Sequence, residues 1–293
     1  MSRGPDIAAL GPKSIEFWTQ YAPDVGFPFQ FSTSINQGLL APGGLVETAW
    51  VTPTGTHTVF IFPAASHEGK YTGICAMDGY SLRKISTAAV DRDIENEPAP
   101  LTLQATSWVQ GGHGFDCISG TSFSWQFDTY TGKWVKRSSY LANRWRVGLV
   151  AALGQRLIAG HYSQGTLYDM NREALSEGSE PLIWTVQTPR FHAFPGPVEV
   201  NTLYVDAIPG VGLNSGVTQN DNPHLMMQWT EDGETWSTER WRSLGIQGAR
   251  RQDVRWNGLG TSRGRGRIYR LRASAAVVRG IRGASVDAVA IAA

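Results

Sequence analysis

Gly120-Thr121-Ser122-Phe123-Ser124-Trp125-Gln126-Phe127-Asp128-Thr129-Tyr130 reads as a glycine turn feeding a strand that carries aromatic residues and stops at an aspartate. The same plan recurs in Gly69-Lys70-Tyr71-Thr72-Gly73-Ile74-Cys75-Ala76-Met77-Asp78-Gly79-Tyr80 and in Gly165-Thr166-Leu167-Tyr168-Asp169-Met170-Asn171. A strand-terminal Asp suits this position because its side chain can bond the amides of the following turn. Asp78, Asp128 and Asp169 lie 50 and 41 residues apart, near the roughly 40–50 residues of one propeller blade. The repeat favours a propeller over a sandwich.

The rest of the chain follows the same habit. Short runs rich in Val, Ile, Phe, Tyr, Trp and Thr are punctuated by Gly, Pro, Asn or Asp, the signature of strands and tight turns. Helical periodicity is confined to Thr87–Glu97, where Asn96-Glu97-Pro98 provides a stop. The expected fold is therefore all-β and β-propeller-like. A single domain over residues 1–273 is expected, with an Arg- and Trp-rich part at 224–273. Residues 274–293, mixing Ala, Val and Gly, form either an ordered edge strand or a flexible tail.

Composition narrows the function classes. The chain has 293 residues, 26 basic against 25 acidic side chains, and 41% apolar residues. This excludes wholesale disorder and a strongly charged protein. No apolar run reaches the roughly 20 residues needed to cross a bilayer, and Met1-Ser2-Arg3-Gly4-Pro5 leads into no secretory apolar stretch. The two cysteines, Cys75 and Cys117, sit in separate strand-like runs with no CxxC, so both are expected as buried small hydrophobes.

Catalytic signatures are sparse. There is no G-x-S-x-G elbow, and the six histidines (57, 67, 113, 161, 192, 224) show no metal-ligand spacing. Gly111-Gly112-His113-Gly114 precedes a strand and lacks the Lys-Ser/Thr of a phosphate loop, so a hairpin or interblade turn is expected there. No catalytic residue, metal or cofactor is assigned.

Two features of the second half stand out. Trp229-Thr230-Glu231-Asp232-Gly233-Glu234-Thr235-Trp236-Ser237 resembles the Asp-box hairpin, with Glu231 in the acidic place, Asp232-Gly233 as a turn dipeptide, Thr235 beside Trp236, and Trp229 and Trp236 able to pack across it. Asp boxes occur in sialidases, where they are structural; a glycan-acting propeller enzyme is the alternative this raises. From Arg240 to Arg282 there are twelve arginines against one acid, Asp253. Guanidinium groups pair bidentately with phosphate or carboxylate, so the surface meets either nucleic acid or acidic patches on a neighbouring subunit, and the second is favoured. Arg263-Gly264-Arg265-Gly266-Arg267 can also be read as a mobile basic loop.

Gly11-Pro12-Lys13-Ser14-Ile15-Glu16-Phe17-Trp18, Asp78-Gly79-Tyr80-Ser81-Leu82-Arg83-Lys84-Ile85-Ser86-Thr87 and the C-terminal block resemble the packaged-DNA stabilization protein family of short-tailed bacteriophages. That block comprises Pro209-Gly210-Val211-Gly212, the hairpin from Trp229 to Trp236, Glu239-Arg240-Trp241-Arg242-Ser243-Leu244-Gly245 and Val254-Arg255-Trp256-Asn257-Gly258-Leu259-Gly260. The resemblance runs from about residue 11 to residue 285. It implies a propeller-like tail hub or nozzle in a hexameric ring below the portal and its adaptor, which helps retain packaged DNA and carries other tail proteins. Members of that family carry more chain before Lys13, so fewer blades, an incomplete ring, or completion by a neighbour or a separate chain is expected here.

These readings imply a structural virion protein of the phage tail, without enzymatic activity. Its expected partners are copies of itself, the portal–adaptor assembly, other tail proteins and, transiently, packaged DNA. Arg240, Trp241, Arg242, Arg250, Arg251, Arg255 and Trp256 are the expected subunit-interface residues, since Arg and Trp dominate interface hot spots.

Overall fold

The computed structural model describes residues 2–3, 6–20, 26–52, 55–263 and 265–291. The chain divides into two compact units, Met1–Arg172 and Glu173–Ala293, and strands dominate both.

The first unit is a succession of antiparallel meanders. β1 (Ser2–Arg3), β2 (Asp6–Leu10), β3 (Ile15–Gln20) and β4 (Phe29–Ile35) pair in that order. A second sheet takes β5 (Gln37–Leu39), β6 (Val46–Thr52), β7 (Gly55–Ser66), β8 (Tyr71–Asp78) and β9 (Ser81–Lys84), with both β5 and β6 bonded to the long β7. β10 (Gln104–Gln110), β11 (His113–Ser119), β12 (Ser124–Asp128) and β13 (Lys133–Lys136) make a third sheet, and β14 (Val147–Leu153), β15 (Arg156–His161) and β16 (Leu167–Asp169) a fourth. Among the described residues every pairing in this unit joins strands adjacent in sequence except the β5–β7 contact, which is the up-and-down arrangement of propeller blades. No sheet closes on itself among the described residues.

The repeat read from the sequence marks strand ends: Asp78, Asp128 and Asp169 are the last residues of β8, β12 and β16. Asp128 accepts from the Tyr130 and Thr131 amides at 3.0 and 3.4 Å. Asp169 instead pairs with Arg156 at 2.8 Å, so the shared position does not impose a shared partner. Gly111 and Gly112 form the β10–β11 hairpin turn with φ of 62° and 81°, left-handed backbone that a residue with a Cβ resists. The helix α1 (Ala88–Glu95) falls inside the expected span and buries Val90 and Ile94, one turn apart. Both join Ile61, Ile74, Ile118, Phe123 and Phe127 in one core cluster. Burial of each such large side chain is worth about 1.5–3 kcal/mol.

The second unit begins with a two-residue ladder, β17 (Ser176–Glu177) with β18 (Glu180–Pro181). It then builds two sheets from β19 (Trp184–Gln187), β20 (Val198–Ala207), β21 (His224–Thr230), β22 (Arg240–Ser243), β23 (Val254–Ser262), β24 (Ile268–Ala273) and β25 (Ile281–Ala290). One sheet runs β19-β24-β21-β22 and the other β23-β20-β25. A four-residue helix, α2 (Thr218–Asp221), precedes β21. Alternate residues of the strands meet in a shared core: Leu203 and Val205 of β20, Leu225 and Met227 of β21, Trp256 of β23, Tyr269 and Leu271 of β24. Two sheets closing on one core make a sandwich.

The alternation breaks once in β20, where Val198 and Val200 are buried and the next buried residue is Leu203. A bulge between Val200 and Thr202, shared with both neighbours, advances the phase by one residue. The division of the chain thus differs from the single domain to residue 273 expected from sequence. Residues 281–290 are not a tail: β25 pairs with β20 from Val198↔Ala290 to Ala207↔Ile281, and its half-buried Val286 and Ala288 cover the sandwich core.

Candidate functional site

The hairpin at the end of β21 is held by Asp232. Its Oδ1 accepts from the Thr230 hydroxyl and from the Glu234 and Thr235 amides, each at 2.8 Å. These bonds favour the ionised form, the Thr230 hydroxyl foremost, and hold the carboxyl well below the ordinary carboxylate range. Gly233 N–H closes the turn on Thr230 Oγ1 at 2.9 Å, and Ser237 N–H donates to Trp229 O at 2.9 Å.

Glu231, expected in the acidic place of the hairpin, does another job: its Oε1 accepts from Arg267 Nε at 3.0 Å. In the turn that follows β21, it is Asp232, one residue further on, whose carboxylate reaches the turn amides. Trp229 and Trp236 are each covered by arginine. The guanidinium carbons of Arg240 and Arg267 lie 4.8 and 5.4 Å from the Trp229 ring centroid, and that of Arg270 lies 3.7 Å from Trp236, a cation–π geometry.

The basic segment separates into internal clamps and surface charges. Arg267 is 6% exposed and donates to the carbonyls of Leu259 at 2.6 Å and Thr261 at 2.7 Å, where β23 bulges. Arg279 Nη1 reaches Leu182 O at 2.5 Å. Arg270 Nη2 donates to Gln228 Oε1 at 2.7 Å, and Arg272 lies 3.8 Å from Glu239. A fixed fork of donors suits such multiple carbonyl contacts.

Of the expected interface residues, Arg242, Arg250, Arg251 and Arg255 are exposed and Arg240 is half-buried over Trp229. Arg242 is partly committed, donating from Nε to Arg255 O at 2.8 Å. The two tryptophans part company. Trp241, on edge strand β22, is 56% exposed, whereas Trp256 is 0% exposed. Trp256 shares the inward phase of Val254, and its Nε1 donates to Arg240 O at 3.1 Å. It is a core residue of the sandwich, and its side chain is not available to a neighbour.

Elsewhere, Cys75 and Cys117 are free and buried, and burial pushes both thiols up to about 11. His113 Nδ1 lies 3.0 Å from Asp128 Oδ2. Among the described residues no three His, Cys, Asp or Glu side chains gather as a metal site. One group escaped the sequence reading: Asp116 of β11 is 0% exposed, and neither of its oxygens has a hydrogen-bond partner among the described residues. Burial pushes its carboxyl up to about 7, with the nearby Thr48 hydroxyl acting the other way. The available signal was an acid in phase with Ile118, two residues along the same strand.

Comparison with known proteins bears on the second unit. Residues 183–289 match the family described as Bacteriophage P22 Gp10, beta-sandwich. No curated protein matches the chain. Among solved structures, an exo-beta-1,3-galactanase from Phanerochaete chrysosporium, solved with galactose, is similar at 10% identity and a TM-score of 0.28, covering 94% of this chain and 75% of that one. A likeness at that score carries no argument.

Proposed function

We infer that the chain is a structural protein of a short-tailed bacteriophage tail, a virion component that works by fitting against other proteins. The observation that carries this reading is the agreement between the matched span, residues 183–289, and the sandwich built from β19 to β25. In the finer form of the proposal, copies form a closed, hexameric hub or nozzle ring below the portal and adaptor, and the ring helps retain packaged DNA and lines the ejection channel. A ring needs two different, complementary faces on each copy, and the sandwich presents exposed Trp241, Arg242, Arg250, Arg251 and Arg255 as material for one of them.

The test is the mass and shape of the purified full chain, alone and mixed with a portal–adaptor complex, by native mass spectrometry and electron microscopy. A ring in either condition is the expected result. A monomer in both, or a monomer that hydrolyses sialosides or host surface polysaccharide, overturns the proposal.

A further inference from the structure

Two mixed-charge surfaces of the sandwich unit complement each other. The first is an open groove of about 650 Å³ at the end of the three-stranded sheet, lined by Asp206 of β20, by Arg250, Arg251 and Asp253 before β23, and by Arg282 of β25. All five side chains are exposed, and none has a hydrogen bond or ion pair among the described residues. The small Gly283, Ala284 and Ser285 keep the β25 side of the groove open. Three guanidinium groups and two carboxylates left without internal partners form a surface whose charges are satisfied only by water or by another molecule.

The second surface is the tip of the 229–237 hairpin. Asp232 holds the turn in one shape through Oδ1, and Glu234 projects from it with an exposed side chain that has no partner among the described residues. Arg190 ties this tip to the loop before β24: its Nη1 donates to Glu231 O at 2.6 Å and to Arg265 O and Gly266 O, both at 3.3 Å. The acids Asp232 and Glu234 are thereby joined in one element to exposed Arg265. The groove offers three arginines and two acids; the tip offers the two acids Asp232 and Glu234 beside the exposed loop arginines Arg263 and Arg265.

We propose that the tip of one copy seats in the groove of the next, Asp232 and Glu234 against Arg250, Arg251 and Arg282, and Arg265 against Asp206 and Asp253. The partner is thus a second copy of this chain. Because tip and groove are different patches, the contact is heterologous and propagates around a ring. A tip already fixed by its own hydrogen bonds loses little conformational freedom on docking. This rests on the ring reading above and assigns the surfaces that make the ring.

The experiment uses the full chain in four forms: wild type, Arg250→Glu/Arg251→Glu, Glu234→Lys, and the triple variant carrying all three changes. Assembly is followed by sedimentation at low and high salt, and circular dichroism checks that each form is folded. The wild type should assemble, less so at high salt. Each reversal should weaken assembly by at least about tenfold, the size of effect expected from close interfacial charge pairs. An equimolar mixture of the two reversed proteins should recover it, since each then offers the tip that the other's groove accepts, and so should the triple variant. Glu234→Lys changes only an exposed turn residue, so it remains informative if the groove variant fails to fold. If folded Glu234→Lys assembles as tightly as wild type, or if neither mixture nor triple variant recovers assembly, these surfaces are wrong while the ring reading stands. A wild type that is monomeric both alone and with the portal–adaptor complex overturns both.

Discussion

Replacing Asp116 by Asn removes a titration that the fold makes unfavourable. The carboxyl is fully buried in β11 without a hydrogen-bond partner among the described residues, and its pKa rises from 3.8 to about 7. Below the unfolded value both states hold the proton and the group is neutral to stability. Between the two values the unfolded chain releases the proton and the folded chain keeps it, so stability falls with rising pH by about 1.4 kcal/mol per unit. Above the folded value the penalty levels off at up to about 4 kcal/mol. Asn carries no charge and instead brings a buried amide, whose unpaired donors cost about 1–3 kcal/mol at every pH.

Wild type should therefore equal or exceed Asp116→Asn in stability near pH 4, and the variant should gain on it steadily up to about pH 7 and little further by pH 8. The difference between the two proteins isolates this residue, because Asp91, Asp93 and Asp128 have lowered pKa values and contribute an opposite slope at acid pH equally to both. Since two compact units need not unfold together, the readout should be local: urea titrations monitored by hydrogen-exchange mass spectrometry of peptides covering β10 to β12. A stability difference that stays flat from pH 4 to pH 8 refutes the argument.

Other substitutions test the sandwich. Arg267→Ala should destabilise the second unit by about 3–5 kcal/mol, the usual cost of breaking a buried, multiply bonded ion pair, and Arg267→Lys should recover little because one ammonium cannot reproduce the fork to Leu259 and Thr261; urea unfolding of the second unit measures both. Trp256→Ala should cost about 3–5 kcal/mol as a fully buried core residue, whereas Trp241→Ala, at an exposed edge, should stay within about 0.5 kcal/mol and act on assembly instead; equal losses of stability from the two would contradict their placement.

Much of this protein is local and so was legible from sequence. The all-β class follows from runs of strand-forming residues bounded by turn residues, and the strand-ending aspartates 78, 128 and 169 sit where the repeat puts them. The span of α1, the glycine turn at 111–112 and the burial of both cysteines belong to the same group. Each depends on neighbours within a few residues, where propensity and periodicity operate. The partition into a meander unit and a sandwich unit was decided by tertiary structure, because it depends on which strands pair across long separations, as β19 does with β24. The internal bonding of an arginine was likewise invisible: half-buried Arg279 finds its carbonyl at Leu182, 97 residues away. Asp232 keeps its place in the Asp-Gly turn and also takes the acidic place read for Glu231, since only the folded chain brings Arg267 beside Glu231 and leaves the turn amides to Asp232. Sequence determines what each side chain can bond; the packing of distant strands decides which of those bonds is made.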